Sequence, residues 1–531
     1  MKTYIERSKE IPVTQETDIL VVGGGYAGFG AAWAAAQNGS KTILLEQQSC
    51  LGGLVTLGLV SLTFSYIEGV GYELFSRLRK ENALKGRFID PEKAKIILED
   101  ILIEAGVKII YNTTVIDSIV EENVIKGVVA WNKSGRQAMM AKRVIDTSGD
   151  GDVAAYAGVP FEVGDPGLGG YNQATSLVCR IGNVNYEKYQ KSKENKDSTD
   201  QRTGGYFGSI EWWEAKLKAA VDAGEFPYII DKRINWIVVI PGRDRRHQEL
   251  CVCYAHSRKC RCLDAEDLTR QLIEQRKQNR WFLDFLRKNV PGFENAWLID
   301  TAPMLGIRDS RRIMCEYKLT AEDIIANRKF PDVIMRGNHH LDAHHPTEPG
   351  HIKHIMVKKP DGSEEKAYVN PGDWRDIPYR AIVAKNVDHL LVAGRNFSAD
   401  FMAQSGNRLV LECMNMGQAA GTAAALSLLD GVSPRKLDVL KLQKRLTEMN
   451  INIVKDPKYG EGWVTSKVEK EDLLRPEDDR FGRQATTIIK DEVRNKYKNY
   501  MEGEEQKLIT DYEKSKNGYT TNGGDVGTNL E

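Results

Sequence analysis

The residues with the clearest chemical meaning lie between Gly23 and Gly28, in the pattern G-x-G-x-x-G. The apolar run 18–23, DILVVG, precedes them and the helix-forming segment AGFGAAWAAAQNG follows, which predicts a strand, a tight turn and a helix. In such a turn Gly23 permits the bend, Gly25 lets a pyrophosphate approach the backbone, and Gly28 lets helix and strand pack closely. The free N–H groups at the helix N-terminus therefore predict a phosphate-binding turn.

An acidic residue, Glu46, ends the next apolar run, KTILLE, eighteen residues beyond Gly28. A carboxylate there can accept a hydrogen bond from a ribose 2′-hydroxyl, and it would repel a 2′-phosphate. The glycine turn and Glu46 together predict a dinucleotide site. FAD and NAD share these features, so both remain open at this point.

Histidine suits proton transfer near neutral pH, and six of the nine histidines fall within residues 339–354. Three interpretations remain open: a metal site formed by His340, His344 and His345, a substrate-facing loop in which one imidazole acts as a base, and an exposed polar loop. The metal site is the least favoured, because H-x3-H needs a helix to aim both rings together and the prolines of this stretch prevent one. We therefore predict no bound metal.

Four of the eight cysteines form a C-x-C-x6-C-x-C pattern, namely Cys251, Cys253, Cys260 and Cys262. Zinc sites usually have C-x2-C spacing, whereas the alternation in LCVCYAHS and KCRCLD fits one face of two strands. We predict buried thiols rather than a metal site. Cys50 has no partner cysteine nearby, so we predict a small, partly buried residue rather than a reactive thiol or a covalent anchor.

The composition is that of a soluble globular protein, with 41% apolar and 28% charged residues. Lys+Arg and Asp+Glu both number 74, so no net charge directs the chain to nucleic acid or to an anionic membrane. The charged N-terminal segment lacks the apolar core of a signal peptide, and no apolar run is long enough to span a bilayer. We expect a cytoplasmic protein with reduced cysteines, no nucleic-acid partner and no membrane span.

The elements that must position these residues alternate between strands and helices. Asp90 and Pro91 predict a capped helix that runs to about Ala105. Strand-like runs separated by EEN and NKSG then predict an antiparallel meander, followed by one more strand from Val144 to Thr147. Changes of pattern along the chain predict five regions: 1–157 and 376–445 as two parts of a nucleotide-binding domain, 158–375 as a substrate or cap domain, 446–515 as a charged helical appendage, and 516–531 as a disordered tail.

Eight segments match a known family in order and spacing. They are VVGGGYAGFGAAWAAAQNG…LLE, LGGLVTLG, RVIDTSGDGDVAAYAG, GIRDSRR, LDAHHP, IPYRAIV, HLLVAGR and MNMGQAAGTAAAL, which span residues 18 to about 430. On these segments the chain resembles FAD-dependent oxidoreductases whose nucleotide domain is of the glutathione reductase type, distantly similar to fumarate reductase flavoprotein subunits. The resemblance implies an α/β fold: a Rossmann-like FAD-binding domain with a central parallel sheet and β-meander, an inserted α+β substrate domain and a helical C-terminal appendage.

The resemblance also implies non-covalent FAD in an extended form. Its ADP half would lie on the glycine turn, and its flavin end on the loop LGGLVTLG, where Thr56 would offer a hydroxyl. A helix that opens around Met416 would aim its N-terminus at the isoalloxazine, where charge develops on reduction. The residues implied in cofactor binding are Gly23, Gly25, Tyr26, Ala27, Gly28, Glu46, Gly52, Gly53, Thr56, Val115, Ser148, Gly149, Asp152, Gly394, Arg395, Met416 and Gly417.

For catalysis, the resemblance favours the substrate-facing interpretation of the histidine stretch, because the residues from Asp342 to His344 match the family's D-x-H segment. His344 is therefore the predicted proton-transfer residue. Asp400 and Phe401 depart from the small polar and histidine residues expected there, which would shift the proton-transfer role to His344 or Tyr379.

Arginines supply the candidate positive charges. Arg308, Arg311 and Arg312 in GIRDSRR could clamp a carboxylate, an enolate or the flavin, and a salt-bridged surface is the alternative. Of these, Arg312 is the candidate catalytic residue. Arg408 is a second candidate catalytic residue, because it occupies the family's arginine position before the last FAD helix.

Three functions remain open. The first is an FAD-dependent oxidoreductase that transfers a hydride between flavin N5 and a small organic substrate, such as a sugar or another hydroxylated metabolite. No second G-x-G-x-x-G follows a strand, so electrons would pass to or from an unidentified acceptor or donor rather than through an NAD(P)H domain. The alternatives are an electron-transfer or thiol-redox protein that uses the cysteine group, and a non-enzymatic flavin-binding partner protein.

Overall fold

The computed structural model describes residues 2–63, 67–192, 207–225, 234–326, 328–337, 339, 341–352, 354–358, 363–368 and 375–453. Its strands are β1 (Val13–Val22), β2 (Thr42–Leu45), β3 (Leu84–Lys85), β4 (Phe88–Ile89), β5 (Lys108–Ile110), β6 (Thr114–Glu121), β7 (Val124–Asn132), β8 (Gly135–Asp146), β9 (Phe161–Val163), β10 (Thr175–Val184), β11 (Trp236–Val239), β12 (Gln248–Ser257), β13 (Trp297–Thr301), β14 (Arg311–Ile313), β15 (Val333–Gly337), β16 (His354–Lys358), β17 (Glu364–Tyr368), β18 (Arg375–Pro378) and β19 (Leu390–Val392). Its helices are α1 (Tyr26–Gln37), α2 (Gly71–Lys80), α3 (Pro91–Glu104), α4 (Asp152–Tyr156), α5 (Tyr186–Lys191), α6 (Ile210–Asp222), α7 (Ala265–Asn289), α8 (Ala321–Ile325), α9 (Phe401–Asn407), α10 (Val410–Leu429) and α11 (Val439–Glu448). The predicted disordered tail and most of the predicted appendage lie outside the described residues.

A seven-stranded mixed sheet forms the centre of the fold, in the order β5-β2-β1-β8-β7-β6, and β19 also pairs with β8. Strands β5, β2, β1, β8 and β19 run parallel, whereas β6, β7 and β8 form the predicted antiparallel meander. Both arrangements meet in β8, because its first half pairs with β7 and its last three residues pair with β19. The predicted α/β fold with a central parallel sheet and a meander is confirmed.

The parallel strands bring distant segments to one edge of this sheet. The glycine turn follows β1, Glu46 follows β2, Asp146 ends β8, and Gly394 comes soon after β19. In open parallel sheets this carboxyl edge is where ligands bind. The topology therefore gathers most of the predicted cofactor residues on one side of the molecule.

Helices α1 and α10 lie against each other with their backbones nearly in contact. A Cβ at Gly30 would lie 2.3 Å from the carbonyl oxygen of Met414, and a Cβ at Gly417 would lie 1.9 Å from that of Ala27. Only glycine permits such an approach. The small-residue composition of both helices therefore serves their mutual packing.

Local signals give helix ends correctly in some places and not in others. Asp90 caps α3 as predicted, since its carboxylate accepts hydrogen bonds from the first-turn N–H groups. The prediction of a helix that opens around Met416 is wrong, because α10 begins at Val410 and the helix-forming residues before Met416 extend it backwards. The prediction of a second strand at the later cysteine pair is also wrong, since Cys260 and Cys262 follow β12 outside any strand.

A second sheet, antiparallel in the order β11-β12-β10-β13, lies in the middle part of the chain together with α6 and α7. Its own apolar core includes Trp213, Phe282 and Phe293, all buried. Within the part of the chain that the structure describes, no helix is both long enough and apolar enough to cross a membrane.

Candidate cofactor site and active site

In the glycine turn between β1 and α1, two glycines have no room for a side chain and the third has open space beside it. Gly23 has φ +104°, and a Cβ at Gly28 would lie 1.7 Å from the Gly23 carbonyl oxygen, so both positions require glycine. A Cβ at Gly25 would meet no heavy atom within 4 Å. Gly25 caps α1 without any side-chain hydrogen bond to the first-turn N–H groups. The open space beside these N–H groups fits the pyrophosphate of a dinucleotide.

Glu46 connects this turn to the strand beside it. Its Oε2 accepts a hydrogen bond from Gly24 N at 2.6 Å, and its Oε1 accepts one from Gln48 N at 2.7 Å. Burial raises the pKa of the Glu46 carboxyl, and those two N–H groups oppose the rise. Glu46 thus lies at the end of β2 against the glycine turn, where the ribose of the nucleotide was predicted.

The loop LGGLVTLG lies directly on the glycine turn. Gly52 N donates to the Gly24 carbonyl at 2.9 Å, and a Cβ at Gly53 would lie 3.1 Å from the Gly25 Cα. The Thr56 hydroxyl donates to the Leu51 carbonyl at 2.6 Å and therefore closes the loop on itself. Nearby, Cys50 is buried, and this burial raises the pKa of its thiol, which keeps it protonated at neutral pH.

The segment after β8 forms another wall of the same region. Asp146 is buried at the strand end and accepts hydrogen bonds from Ser148 N, Ser148 Oγ and Ala154 N, while burial raises its pKa to about 6. A Cβ at Gly149 would lie 3.0 Å from Arg395 Nε. Asp152 begins α4 and pairs with Arg311. Val115 is buried on β6 in the same apolar cluster as Val22, Leu45 and Val153 of α4.

The chain returns to the glycine turn after β19. Gly394 has φ +108°, its N–H donates to Met416 Sδ at 3.4 Å, and a Cβ on it would lie 3.1 Å from the Ala27 Cβ. Arg395 pairs with Asp150, with Nη2 and Oδ1 2.7 Å apart. Gly394, Arg395 and Met416 therefore lie beside the residues of α1 that begin the predicted phosphate site.

Three side chains in the histidine stretch converge, and we call Asp342, His344 and His351 the histidine cluster. His344 and His351 form a cross-strand pair, fixed by the backbone hydrogen bonds His345 N to Gly350 O and Ile352 N to Ala343 O, both at 2.9 Å. Their Nε2 atoms are 3.2 Å apart, and Asp342 Oδ1 lies 3.6 Å from His344 Nε2 and 3.2 Å from His351 Nε2.

Electrostatics keep the buried histidine neutral. Burial, and then the charge of Arg308, lower the pKa of His344 well below its ordinary value, against the opposing effect of Asp342. Burial raises the pKa of Asp342, but the two histidines outweigh it and hold that pKa well below its usual range. Arg408 Nη2 donates to Asp342 Oδ2 at 3.1 Å. At neutral pH the cluster therefore combines a carboxylate with a neutral imidazole at His344.

A buried path of amides connects the histidine cluster to the cofactor region. His344 N donates to Gln173 Oε1 at 3.2 Å, and Gln173 Nε2 donates to Gln404 Oε1 at 3.3 Å. Gln404 Nε2 then donates to the Arg395 carbonyl at 2.9 Å. Both glutamines are fully buried. Sequence reasoning missed them, as well as the role of His351, although the turn residues PTEPG between the two histidines are the kind of signal that predicts a hairpin.

Of the other predicted catalytic residues, Tyr379 is not brought to this place. The Tyr379 hydroxyl donates to the Pro434 carbonyl beyond the C-terminal end of α10, whereas Arg408 precedes its N-terminal end. At about 1.5 Å per residue a helix of this length separates its ends by about 30 Å. Arg312 lies nearer to the amide path: it is buried, donates to the Gly164 carbonyl at 2.8 Å and lies 3.6 Å from Asp309, whose Oδ1 accepts a hydrogen bond from Gln173 N. His340 lies outside the described residues.

The histidine cluster also resembles a metal site in its geometry. Among the described residues it is the group whose potential ligand atoms gather within 4.8 Å, and the four cysteines of the C-x-C pattern do not form such a group. Arg408 binds its carboxylate, however, and Arg308 adds a second positive charge nearby. Two cations beside one carboxylate do not favour a divalent ion. Burial raises the pKa of each of the four cysteine thiols, which disfavours the thiolates that metal binding and thiol exchange need.

The strand-turn-helix phosphate site, the acidic residue after β2, the meander and the returning strand define a dinucleotide-binding flavoprotein fold. The model of the family "FAD dependent oxidoreductase" matches residues 18–446, and the chain belongs to that family. It is an oxidoreductase with FAD as its cofactor. This membership favours the oxidoreductase prediction over the non-enzymatic alternative.

Relatives in sequence and structure are distant. The chain is 33% identical over 156 residues to a thiamine thiazole synthase of Sulfolobus acidocaldarius, a match that covers 27% of this chain and 59% of that relative. The chain therefore matches about three-fifths of the length of that protein. A geranylgeranyl bacteriochlorophyll reductase-like protein of Thermoplasma acidophilum is 13% identical over 94% of this chain and 99% of its own, with a TM-score of 0.39. An L-proline dehydrogenase of P. horikoshii is 12% identical over 82% and 99%, with a TM-score of 0.36.

Proposed function

We propose that this FAD-dependent oxidoreductase transfers a hydride between flavin N5 and a carbon of a small hydroxylated organic substrate, with His344 exchanging the proton. FAD supplies the two-electron acceptor for such a step. The observation that carries the proposal is the buried amide path from His344 to Arg395, which links a neutral imidazole to the segment that returns to the cofactor region.

The surroundings of His344 suit a general base. Its Nε2 faces Asp342 and His351, so a proton carried there leaves Nδ1 with the lone pair that accepts a hydroxyl proton. Asp342 would stabilise the imidazolium that results, and Arg408 would hold Asp342 in place. In the oxidative direction the electron pair of the C–H bond leaves as hydride and the O–H proton goes to His344, so that an alcohol becomes a carbonyl compound.

We also propose that a separate electron acceptor or donor completes the cycle. The absence of a second glycine motif after a strand in the sequence supports this, because such a motif would bind NAD(P)H.

Anaerobic bleaching of the flavin absorbance against a panel of alcohols, sugars and hydroxy acids tests the proposal. His344→Ala should lose at least a hundredfold in the rate of flavin reduction while it retains FAD, because general-base catalysis contributes about 10²–10⁴-fold. His247→Ala is the matched control, since this histidine is exposed to solvent directly before β12 of the second sheet. An unchanged reduction rate in His344→Ala would remove this residue from the mechanism.

A further inference from the structure

Arg308 differs from four nearby arginines in having no acidic partner among the described residues. Among the described residues, no carboxylate lies within 4.0 Å of its guanidinium. The neighbouring arginines are each paired at distances between 2.7 and 3.6 Å, namely Arg311 with Asp152, Arg312 with Asp309, Arg395 with Asp150, and Arg408 with Asp342. Arg308 is only partly exposed, so water does not fully screen its charge.

The position of Arg308 is fixed beside the histidine cluster. Its Nη1 donates to the carbonyl of Ala174, and its own carbonyl accepts a hydrogen bond from Gln404 Nε2 at 3.0 Å. Ala174 follows Gln173, whose side chain holds the backbone of His344. Arg308 is therefore held next to the same amide path that carries the proposed base.

The local charge is positive and calls for an anion. Arg308 and Arg408 contribute two positive charges, the Asp342 carboxylate contributes one negative charge, and neutral imidazole contributes none. One nitrogen of Arg308 is used by Ala174, and a guanidinium presents five N–H donors in a planar fork that suits bidentate binding of a carboxylate.

We propose that the substrate carries a carboxylate bound by Arg308, and that this enzyme acts on hydroxy acids whose hydroxyl lies on the carbon next to the carboxylate. This inference rests on the proposed function, because His344 must take the hydroxyl proton. The C–H electron pair leaves as hydride to FAD, the O–H proton goes to His344, and the carboxylate stays unchanged, so the product is a 2-oxo acid. Arg308 lies near enough for its charge to lower the pKa of His344, and a 2-hydroxy acid carries its two functional groups on adjacent carbons, as binding to both residues would require.

Binding of oxalate to the holoenzyme tests the anion site without turnover, because oxalate has no C–H bond to give up. We expect saturable binding by calorimetry, with a change in the flavin absorption spectrum. Arg308→Gln should weaken oxalate binding at least tenfold, and Arg308→Lys should weaken it less, since lysine keeps the charge without the fork. Arg246→Gln is the matched control, because its side chain is 70% exposed on the surface. Full FAD content in each variant establishes that the protein is folded.

Flavin reduction by matched substrates provides a second measurement. Lactate should reduce the flavin at least tenfold more efficiently than lactamide, and Arg308→Gln should raise the KM for lactate more than it lowers the limiting reduction rate. Equal oxalate affinity in the wild type and Arg308→Gln, or no oxalate binding at all, would overturn the inference. If neutral alcohols then reduce the flavin in a His344-dependent way, the proposed function stands alone. If oxalate binds through Arg308 but His344→Ala reduces the flavin at the normal rate, the base assignment fails and the anion site remains.

Discussion

The substitution Gly25→Ala separates folding from cofactor binding in this protein. A methyl group on Gly25 would meet no heavy atom within 4 Å, and the backbone at Gly25 has φ −66°, which alanine adopts without strain. A glycine-to-alanine change at a compatible position stabilises a protein by about 0.4–1 kcal/mol, because the unfolded chain loses freedom. We therefore expect the apoprotein to unfold at the same temperature as the wild type or slightly above it.

The same methyl group would occupy the open space beside the N-terminus of α1, where the pyrophosphate must approach. A hydrogen bond to a charged group contributes about 1.5–3 kcal/mol. Since about 1.4 kcal/mol corresponds to a tenfold change in affinity, the loss of one such contact should weaken FAD binding by about ten- to a hundredfold.

Titration of apoprotein with FAD, followed by the quenching of flavin fluorescence, measures the affinity, and thermal unfolding of the apoprotein measures the stability. Gly28→Ala is the contrasting variant, because its Cβ would lie 1.7 Å from the Gly23 carbonyl and should lower both quantities. Wild-type FAD affinity in a normally folded Gly25→Ala protein would refute the placement of the pyrophosphate at this turn.

Three further predictions concern packing, pH and metal. Gly417→Ala should lower the free energy of unfolding by about 1–3 kcal/mol in denaturant titrations, because its Cβ would lie 1.9 Å from the Ala27 carbonyl oxygen. A stability equal to that of Gly25→Ala would contradict the tight contact between α1 and α10. Burial raises the pKa of Glu68 to about 8, so the folded state keeps a proton that the unfolded state releases near the ordinary glutamate value. The free energy of unfolding should therefore fall as pH rises from about 4.5 to 8. Glu68→Gln should remove that part of the pH dependence, and an unchanged pH dependence in this variant would contradict the assignment to Glu68. Treatment of the holoenzyme with a chelator should leave flavin reduction unchanged, because the positive charges of two arginines beside the histidine cluster disfavour a bound metal ion. One equivalent of bound metal in the wild type that is absent from His351→Ala would contradict this prediction.

The sequence predicted the positions of the proposed cofactor residues better than those of the proposed catalytic residues. Gly23, Gly28 and Glu46 belong to a strand-turn-helix-strand unit whose spacing is local, so their meeting at the carboxyl edge of the sheet follows from the pattern alone. The positions of the proposed catalytic residues depend on the long stretch of chain between β8 and β19, which brings β10, the segment before β14 and the histidine hairpin together. Tyr379 illustrates the limit, since its sequence position gave no sign that it lies at the far end of α10 from Arg408.

The sequence by itself determined the phosphate turn, the acidic residue after β2, the meander and the capped helix α3, because each is specified by neighbours along the chain. Tertiary structure alone decided that glutamines from two distant segments connect His344 to Arg395, and that Arg308 lies near no carboxylate among the described residues while Arg408 pairs with Asp342. Those features depend on side chains that are tens to hundreds of residues apart. Their pairing is set by packing and by the cost of burying charge, which no local pattern records.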